Sequence, residues 1–222
     1  MATTIPEPPQ IDNHRPSDSG NGGWRNLVPA GGDPPRVKDY APPPSSTAIW
    51  VVLFAVTMMF AAFSSALIVR KGSSQDWEPV TLPPILYANT LVLVASGVTL
   101  EIARRRIAAF MGGLRSQKES PSRWLYITLF LGMLFVAGQY VAWRQLRAQG
   151  LYLATNPSSS FFYLLTVTHA LHVIGGLGGL IYVLSKLHKS ALRRSQLVAA
   201  ARYWHFMGIL WLYLLLLLWM KM

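Results

Sequence analysis

Five apolar runs, each 18 to 25 residues long, decide what this chain can fold into. A helix rises 1.5 Å per residue, so about 20 residues cross the roughly 30 Å of a bilayer's hydrocarbon core. Barrel strands would instead alternate in hydrophobicity over about ten residues. The sequence therefore predicts an all-α fold, a polytopic membrane helix bundle with five transmembrane helices within residues 48–222. The predicted spans cover residues 48–69, 85–103, 124–143, 161–185 and 203–220.

Composition agrees with a membrane protein, because 52% of the residues are hydrophobic and only 13% are charged. Charged residues make up about a quarter of an ordinary soluble domain. The chain has no cysteine, which excludes a disulfide framework, a thiolate metal site and a thiol nucleophile. The start, Met1 to Gln10, lacks the basic and apolar regions of a secretory signal peptide.

Residues 1–47 form a separate segment that contains ten of the fifteen prolines, and five glycines lie between Gly20 and Gly32. Such a segment cannot bury enough apolar surface to offset the entropy lost on ordering. We therefore expect residues 1–47 to be a disordered cytoplasmic tail.

The net charge of +11 reflects topology rather than nucleic-acid binding, because the basic residues lie in short loops between apolar runs. Fifteen of the 20 Lys and Arg residues belong to the tail and the second and fourth loops, which share one side of the membrane. The positive-inside rule places this side in the cytoplasm and the C-terminus outside. Membrane lipids are thus expected partners, and nucleic acid is not.

The fourth span contains His169 and His172 three residues apart on one helical face, which Gly176 and Gly179 continue. Histidine is costly inside a membrane and so indicates a candidate functional site. Three interpretations stay open: metal ligation, proton relay, and hydrogen bonding to partners such as Thr168 or Glu101. Metal ligation is the least supported, because two histidines without a nearby third ligand make a poor site.

The glycine run from Gly175 to Gly179 has the small-xxx-small spacing that allows membrane helices to approach closely. In the third span, Gln139 is expected to hydrogen-bond to a neighbouring helix. Trp143, near the end of that span, fits an interface anchor.

Glu101 is the only acidic residue inside a predicted span. Its spacing from Arg105 predicts an i, i+4 ion pair at the membrane edge, and a role in proton handling is the alternative.

The fifth span begins with Tyr203-Trp204-His205-Phe206. Its position fits an interfacial histidine in an aromatic belt, with a functional histidine as the alternative. The rest of the span, residues 210–219, is expected to face lipid. The chain lacks a phosphate-binding loop, a dinucleotide fingerprint and a Ser-His-Asp set. A partner that carries the cofactors therefore explains the sequence better than an enzyme acting alone.

The last two spans resemble subunit III of the haem-copper respiratory oxidases. In that family a His-x-x-His pair followed by Val/Ile and Gly lies in the penultimate helix, similar to Thr168 through Gly175. The family's final helix begins Tyr-Trp-His-Phe with a further Trp six residues after the His, similar to Tyr203 through Phe206 with Trp211. Asn89-Thr90 and Ser96 also resemble the family, and the likeness covers about residues 48–220.

Two departures limit the resemblance. Many members have seven helices, and the two without a counterpart here form one wall of the family's lipid-filled cleft. The family's glutamate in the helix corresponding to the first span is Thr57 here, and an acidic residue of the final helix is Gly208. The roles that the family's carboxylates have at these two positions therefore cannot be assigned to this chain.

The resemblance implies a non-catalytic accessory subunit of a terminal oxidase in the cell inner (plasma) membrane. Oxidase subunits I and II would be its partners, with haem and copper in the partner catalytic subunits and no cofactor in this chain. Two alternatives stay open: a related protein associated with nitric oxide reductase, and a stand-alone channel or transporter.

The charge bias yields a topology prediction. Reporter fusions at Ser74 and Asn156 should report an outside location, and fusions at Gly112 and Ser190 a cytoplasmic one. A reversed pattern at all four sites would contradict the predicted orientation.

Overall fold

A computed structural model describes residues 44–73, 77, 82–111, 122–153 and 155–221. The described residues form five α-helices: α1 (Pro44–Ser73), α2 (Ile85–Met111), α3 (Arg123–Ala148), α4 (Pro157–His188) and α5 (Arg194–Lys221). Each has the length and apolar composition needed to cross a membrane. The predicted all-helical fold with five spans is confirmed.

The helix starts follow local sequence signals. Proline suits the first turn of a helix, where its missing N–H is not needed, and Pro44 and Pro157 begin α1 and α4. The Asn156 side chain caps α4 by accepting a hydrogen bond from the Ser159 backbone N–H at 2.8 Å. Helix α1 therefore begins within the last four residues of the predicted tail, and residues 1–43 lie outside the described part of the chain.

Four of the helices form a closed ring in which α2 packs against α3, α3 against α4, α4 against α5, and α5 against α2. Consecutive spans run in opposite directions, as in an up-and-down four-helix bundle. Helix α1 packs against α5 and α4. Helices α4 and α5 thus each contact three other helices.

The expectation that residues 210–219 face lipid is wrong for half of that segment. Five of its side chains are buried against the bundle: Leu210, Trp211, Leu214, Leu217 and Leu218. Lipid and a helix-bundle core are equally apolar, so an unbroken leucine run does not reveal which side of a membrane helix faces the protein. Which side of α5 faces the protein is decided by the packing of α1, α2 and α4 around it.

Glycines in α3 allow close approach to neighbouring helices. A Cβ atom added at Gly138 would overlap the side-chain oxygen of Asn89 on α2. Asn89 is buried there and donates a hydrogen bond to the Phe135 carbonyl at 3.3 Å. The backbone of α3 at Gly138 therefore provides the space that a buried polar contact between α2 and α3 requires.

We expect Gly138→Ala to destabilise the bundle by about 1–3 kcal/mol, because the added methyl group overpacks a filled site. Gly178→Ala is the matched control, since a Cβ at Gly178 meets nothing within 4 Å. Thermal unfolding of the purified chain in detergent measures both. Equal stability of the two variants would contradict the close contact at Gly138.

Candidate functional site

The bundle interior is organised around Trp204 of α5, which reaches all three other helices of the ring. Its indole N–H donates a hydrogen bond to Ser96 Oγ of α2 at 2.8 Å. Its ring lies against Gly132 of α3, where a Cβ would come within 2.7 Å of the indole. On α4, a Cβ at Gly176 would lie 3.2 Å from the same ring. We call Ser96, Gly132, Gly176 and Trp204 the Trp204 layer.

Two turns further along α5, Trp211 builds a second layer of the same design. Its indole N–H donates to Thr90 Oγ1 of α2 at 3.0 Å. Its ring contacts Phe135 of α3 edge-to-face, with 5.1 Å between centroids. The imidazole of His169 on α4 lies 5.2 Å from it. We call Thr90, Phe135, His169 and Trp211 the Trp211 layer.

His169 is fully buried between aromatic rings. Besides Trp211, it contacts Phe135 and Phe60, the latter from α1, with ring centroids 6.0 and 6.4 Å away. Neither ring nitrogen has a hydrogen-bond partner within the described part of the chain. The structure therefore does not give His169 the hydrogen bond to Thr168 or Glu101 that one interpretation of the sequence expected.

His172 is held differently from His169. Its Nδ1 lies 2.8 Å from the Thr168 carbonyl of the same helix, and its ring contacts Phe60 at 5.8 Å between centroids. The backbone carbonyl of His172 accepts a hydrogen bond from the Tyr203 hydroxyl at 3.0 Å. His172 thus forms a hydrogen bond within α4, while its backbone links α4 to α5.

Only part of the glycine run lies at a helix contact. Gly176 is buried against Tyr203 and Trp204, and a Cβ there would lie 3.0 Å from the tyrosine ring. Gly175 approaches only the Tyr203 hydroxyl, at 3.9 Å from an added Cβ, and a Cβ at Gly179 meets nothing within 4 Å. Close approach to α5 within this chain therefore depends on Gly176 rather than on Gly175 or Gly179.

Glu101 lies in a charged cluster at one end of the bundle. Its carboxylate contacts Arg105 at 2.8 Å, the i, i+4 pair expected from the sequence, and also Arg104 at 2.7 Å. The imidazole Nε2 of His205 on α5 lies 3.9 Å from it. We call Glu101, Arg104, Arg105 and His205 the Glu101 cluster, and it joins α2 to α5.

An open groove of about 400 Å³ extends from the Glu101 cluster between α2 and α5. Two glycines lie along it, Gly97 and Gly208, and its other lining residues away from the cluster are apolar. A Cβ at Gly208 would meet nothing within 4 Å. Gly208 therefore leaves this part of the groove uncharged and open.

Sequence reasoning missed how the α3–α4 contact forms. Trp143 is not simply an interface anchor, because its indole N–H donates to Thr166 Oγ1 of α4 at 3.0 Å. Gln139, one turn earlier on α3, is fully buried, and neither of its side-chain polar atoms has a partner among the described residues. The expected bond from Gln139 to a neighbouring helix is therefore not present as a direct contact. The combination of Trp on one span and Thr on the next was the available signal for the Trp143–Thr166 bond.

No group of three or more His, Cys, Asp or Glu side chains that could hold a metal ion is formed by the residues that the structure describes. His169 is instead surrounded by Phe60, Phe135 and Trp211, and the ring of His172 lies against Phe60. The described interior residues thus make helix-packing contacts, and charged contacts lie at the Glu101 cluster.

Comparison with known proteins gives a consistent picture. The family described as cytochrome c oxidase subunit III matches residues 48–221. The chain is 35% identical over 176 residues to the probable cytochrome c oxidase subunit 3 of Nocardia farcinica, covering 75% of this chain and 81% of that protein. The protein of the same name from Mycobacterium tuberculosis is 33% identical over 173 residues, with the same coverage. The cytochrome c oxidase subunit 3 of Thermostichus vulcanus is 27% identical over 175 residues, covering 76% and 83%.

The ion pairs of the Glu101 cluster lead to a stability prediction. We expect Glu101→Gln to lower the free energy of unfolding by about 1 kcal/mol or less, because partly exposed ion pairs contribute little to stability. This loss of stability should be smaller at high salt, because salt screens the charges. Thermal unfolding at low and high salt measures this effect. Lys189→Gln, a charge change outside the cluster, is the control. A loss that is independent of salt would exclude the ion pairs as its cause.

Proposed function

The chain belongs to the cytochrome c oxidase subunit III family, and we propose that it binds the catalytic subunits of a haem-copper oxidase in the cell inner (plasma) membrane. It is an accessory subunit of that enzyme, which passes electrons to dioxygen in aerobic respiration. Its proposed partners are oxidase subunits I and II, and its proposed role is to support their assembly, proton uptake and stability during turnover.

This proposal rests on the observation that polar side chains in the bundle interior hold the helices together. The indole N–H groups of Trp204 and Trp211 are bonded to α2, and His169 is enclosed by aromatic rings of three other helices. These residues join helices rather than form a reaction site. We therefore assign the haem and copper to the partner catalytic subunits and no cofactor to this chain.

The proposed orientation places the Glu101 cluster on the cytoplasmic side. The basic ends of α2 and α4 share one end of the antiparallel bundle, with Arg104 and Arg105 on α2 and Lys186 in the last turn of α4. Positive charge beside a span favours the cytoplasmic side. The N-terminus would then be cytoplasmic and the C-terminus outside.

The support for proton uptake is assigned to Glu101 and His205. The carboxylate of Glu101 and the imidazole of His205 lie with their nearest atoms 3.9 Å apart, at the charged end of the groove between α2 and α5. Both side chains are partly exposed, at 28% and 42%, so they are accessible from the membrane edge. Two arginines, Arg104 and Arg105, pair with the single carboxylate of Glu101, so the cluster has a net positive charge and attracts anions.

The relatives described above carry the cytochrome c oxidase name, which favours the oxidase over an association with nitric oxide reductase. A stand-alone transporter would be expected to show an internal repeat or a broken helix with paired charges, and the five spans are continuous helices in the described residues. The oxidase subunit is thus the function that these observations support best.

We expect deletion of this chain to leave the haem spectrum of the oxidase intact while its activity declines faster over many turnovers. The physical reason is that the chain contributes a supporting bundle and no redox centre. The measurement is oxygen consumption over prolonged turnover beside a haem spectrum of the same preparation.

Re-expression of the unaltered chain is the control for this deletion. Loss of the haem signals from an otherwise assembled complex would contradict the absence of a cofactor role. Unchanged activity and decay would remove the role in turnover stability, leaving a structural one.

A further inference from the structure

Two polar side chains in the middle of the bundle, Gln139 on α3 and His169 on α4, have unused hydrogen-bonding capacity. Both are fully buried. The amide nitrogen and oxygen of Gln139 and both ring nitrogens of His169 lack partners within the part of the chain that the structure describes. Buried polar groups in proteins are nearly always hydrogen-bonded, to protein or to ordered water. In a membrane interior no bulk solvent can satisfy them.

The neighbouring contacts place Gln139 opposite the helical turn of α4 that carries His169. On one side of Gln139, Phe135 contacts His169 with 6.0 Å between ring centroids. On the other side, Trp143 donates its hydrogen bond to Thr166. Phe135, Gln139 and Trp143 succeed one another by one turn along α3. Since α3 and α4 are antiparallel, Gln139 lies at the level between Thr166 and His169.

The hydroxyl groups of Thr166 and Thr90, which belong to the neighbouring contacts, are already engaged. Thr166 donates to the Phe162 carbonyl and accepts from Trp143. Thr90, in the Trp211 layer, donates to the Leu86 carbonyl and accepts from Trp211. Neither hydroxyl has a proton left to offer to Gln139 or His169. A hydrogen-bond donor for Gln139 and His169 must therefore come from a group other than these two hydroxyls.

We propose that Gln139 and His169 bind a buried water molecule that bridges α3 and α4. A neutral imidazole presents one donor and one acceptor, and a carboxamide presents two donors and an acceptor. Buried waters typically make about three hydrogen bonds to otherwise unsatisfied groups. One water can thus bond a nitrogen of His169 and the oxygen and nitrogen of Gln139.

The surroundings of this site restrict exchange of the water. Phe60, Phe135 and Trp211 surround the imidazole from α1, α3 and α5. These rings separate His169 from lipid and leave it fully buried. The bridging water is consequently a permanent part of the bundle and gives two buried polar side chains a hydrogen-bond partner.

The direct test is a high-resolution map of the intact complex purified from native membranes. The expected result is density for a water with its oxygen about 2.7–3.2 Å from polar atoms of both Gln139 and His169. A direct hydrogen bond between the two side chains, or well-resolved side chains with no density between them, would overturn the proposal.

Solid-state NMR of the same complex with ¹⁵N-labelled histidine gives an independent test. We expect magnetisation transfer from water to the ring of His169, identified by its loss in His169→Phe. Gln139→Leu should shift the ring ¹⁵N resonance and weaken the transfer. Thr128→Val, which alters another buried hydroxyl three turns away on α3, should do neither. Absence of transfer in the unaltered protein would refute the bridging water.

Thermal unfolding of single and double variants distinguishes one water shared by Gln139 and His169 from two side chains that are unsatisfied independently. We expect Gln139→Leu and His169→Phe each to change the unfolding midpoint by about 2–4 °C, with the double variant differing from the sum of the two. Residues that share a partner are energetically coupled. Additive shifts would show that the two side chains do not share one water.

Discussion

The bundle depends on hydrogen bonds between helices that satisfy large polar aromatic side chains where no bulk water is available. Trp204 and Trp211 lie two turns apart on α5, and each donates its indole N–H to a hydroxyl on α2. A tryptophan side chain buries a large apolar area, but its N–H must find an acceptor in the membrane interior. Ser96 and Thr90 provide these acceptors, and their antiparallel order along α2 fixes the register of α2 against α5.

The other helices fit around these two side chains. Gly132 and Gly176 leave room for the indole of Trp204, so α3 and α4 can both approach α5 at that level. Around Trp211 the space is filled by rings instead, those of Phe135 and His169. Helix α1 joins the same layer through Phe60. Small residues beside one tryptophan and large ones beside the other give the two layers different shapes, which disfavours a shifted packing.

Charge is kept away from this interior. The carboxylate of Glu101 is neutralised within its own helix by Arg104 and Arg105, and it meets α5 only at the partly exposed His205. A charged group costs less near the membrane edge than at its centre. The layers that hold the helices together therefore stay free of ionised groups, and the charged side chains of the Glu101 cluster are kept at one end of the bundle.

The number of spans, their helical character and the family follow from the amino-acid sequence alone. The length of an apolar run and the linked histidine and tryptophan motifs are local properties, and the i, i+4 spacing of Glu101 and Arg105 is local as well. The buried side of each helix becomes known only from the packing of the helices against one another. This packing directed half of residues 210–219 inward, brought Trp143 to Thr166, and assigned the close contact to Gly176 rather than Gly179. The physical reason is that lipid and protein interior are alike in polarity, so hydrophobicity cannot distinguish them and shape and hydrogen bonding between distant residues must.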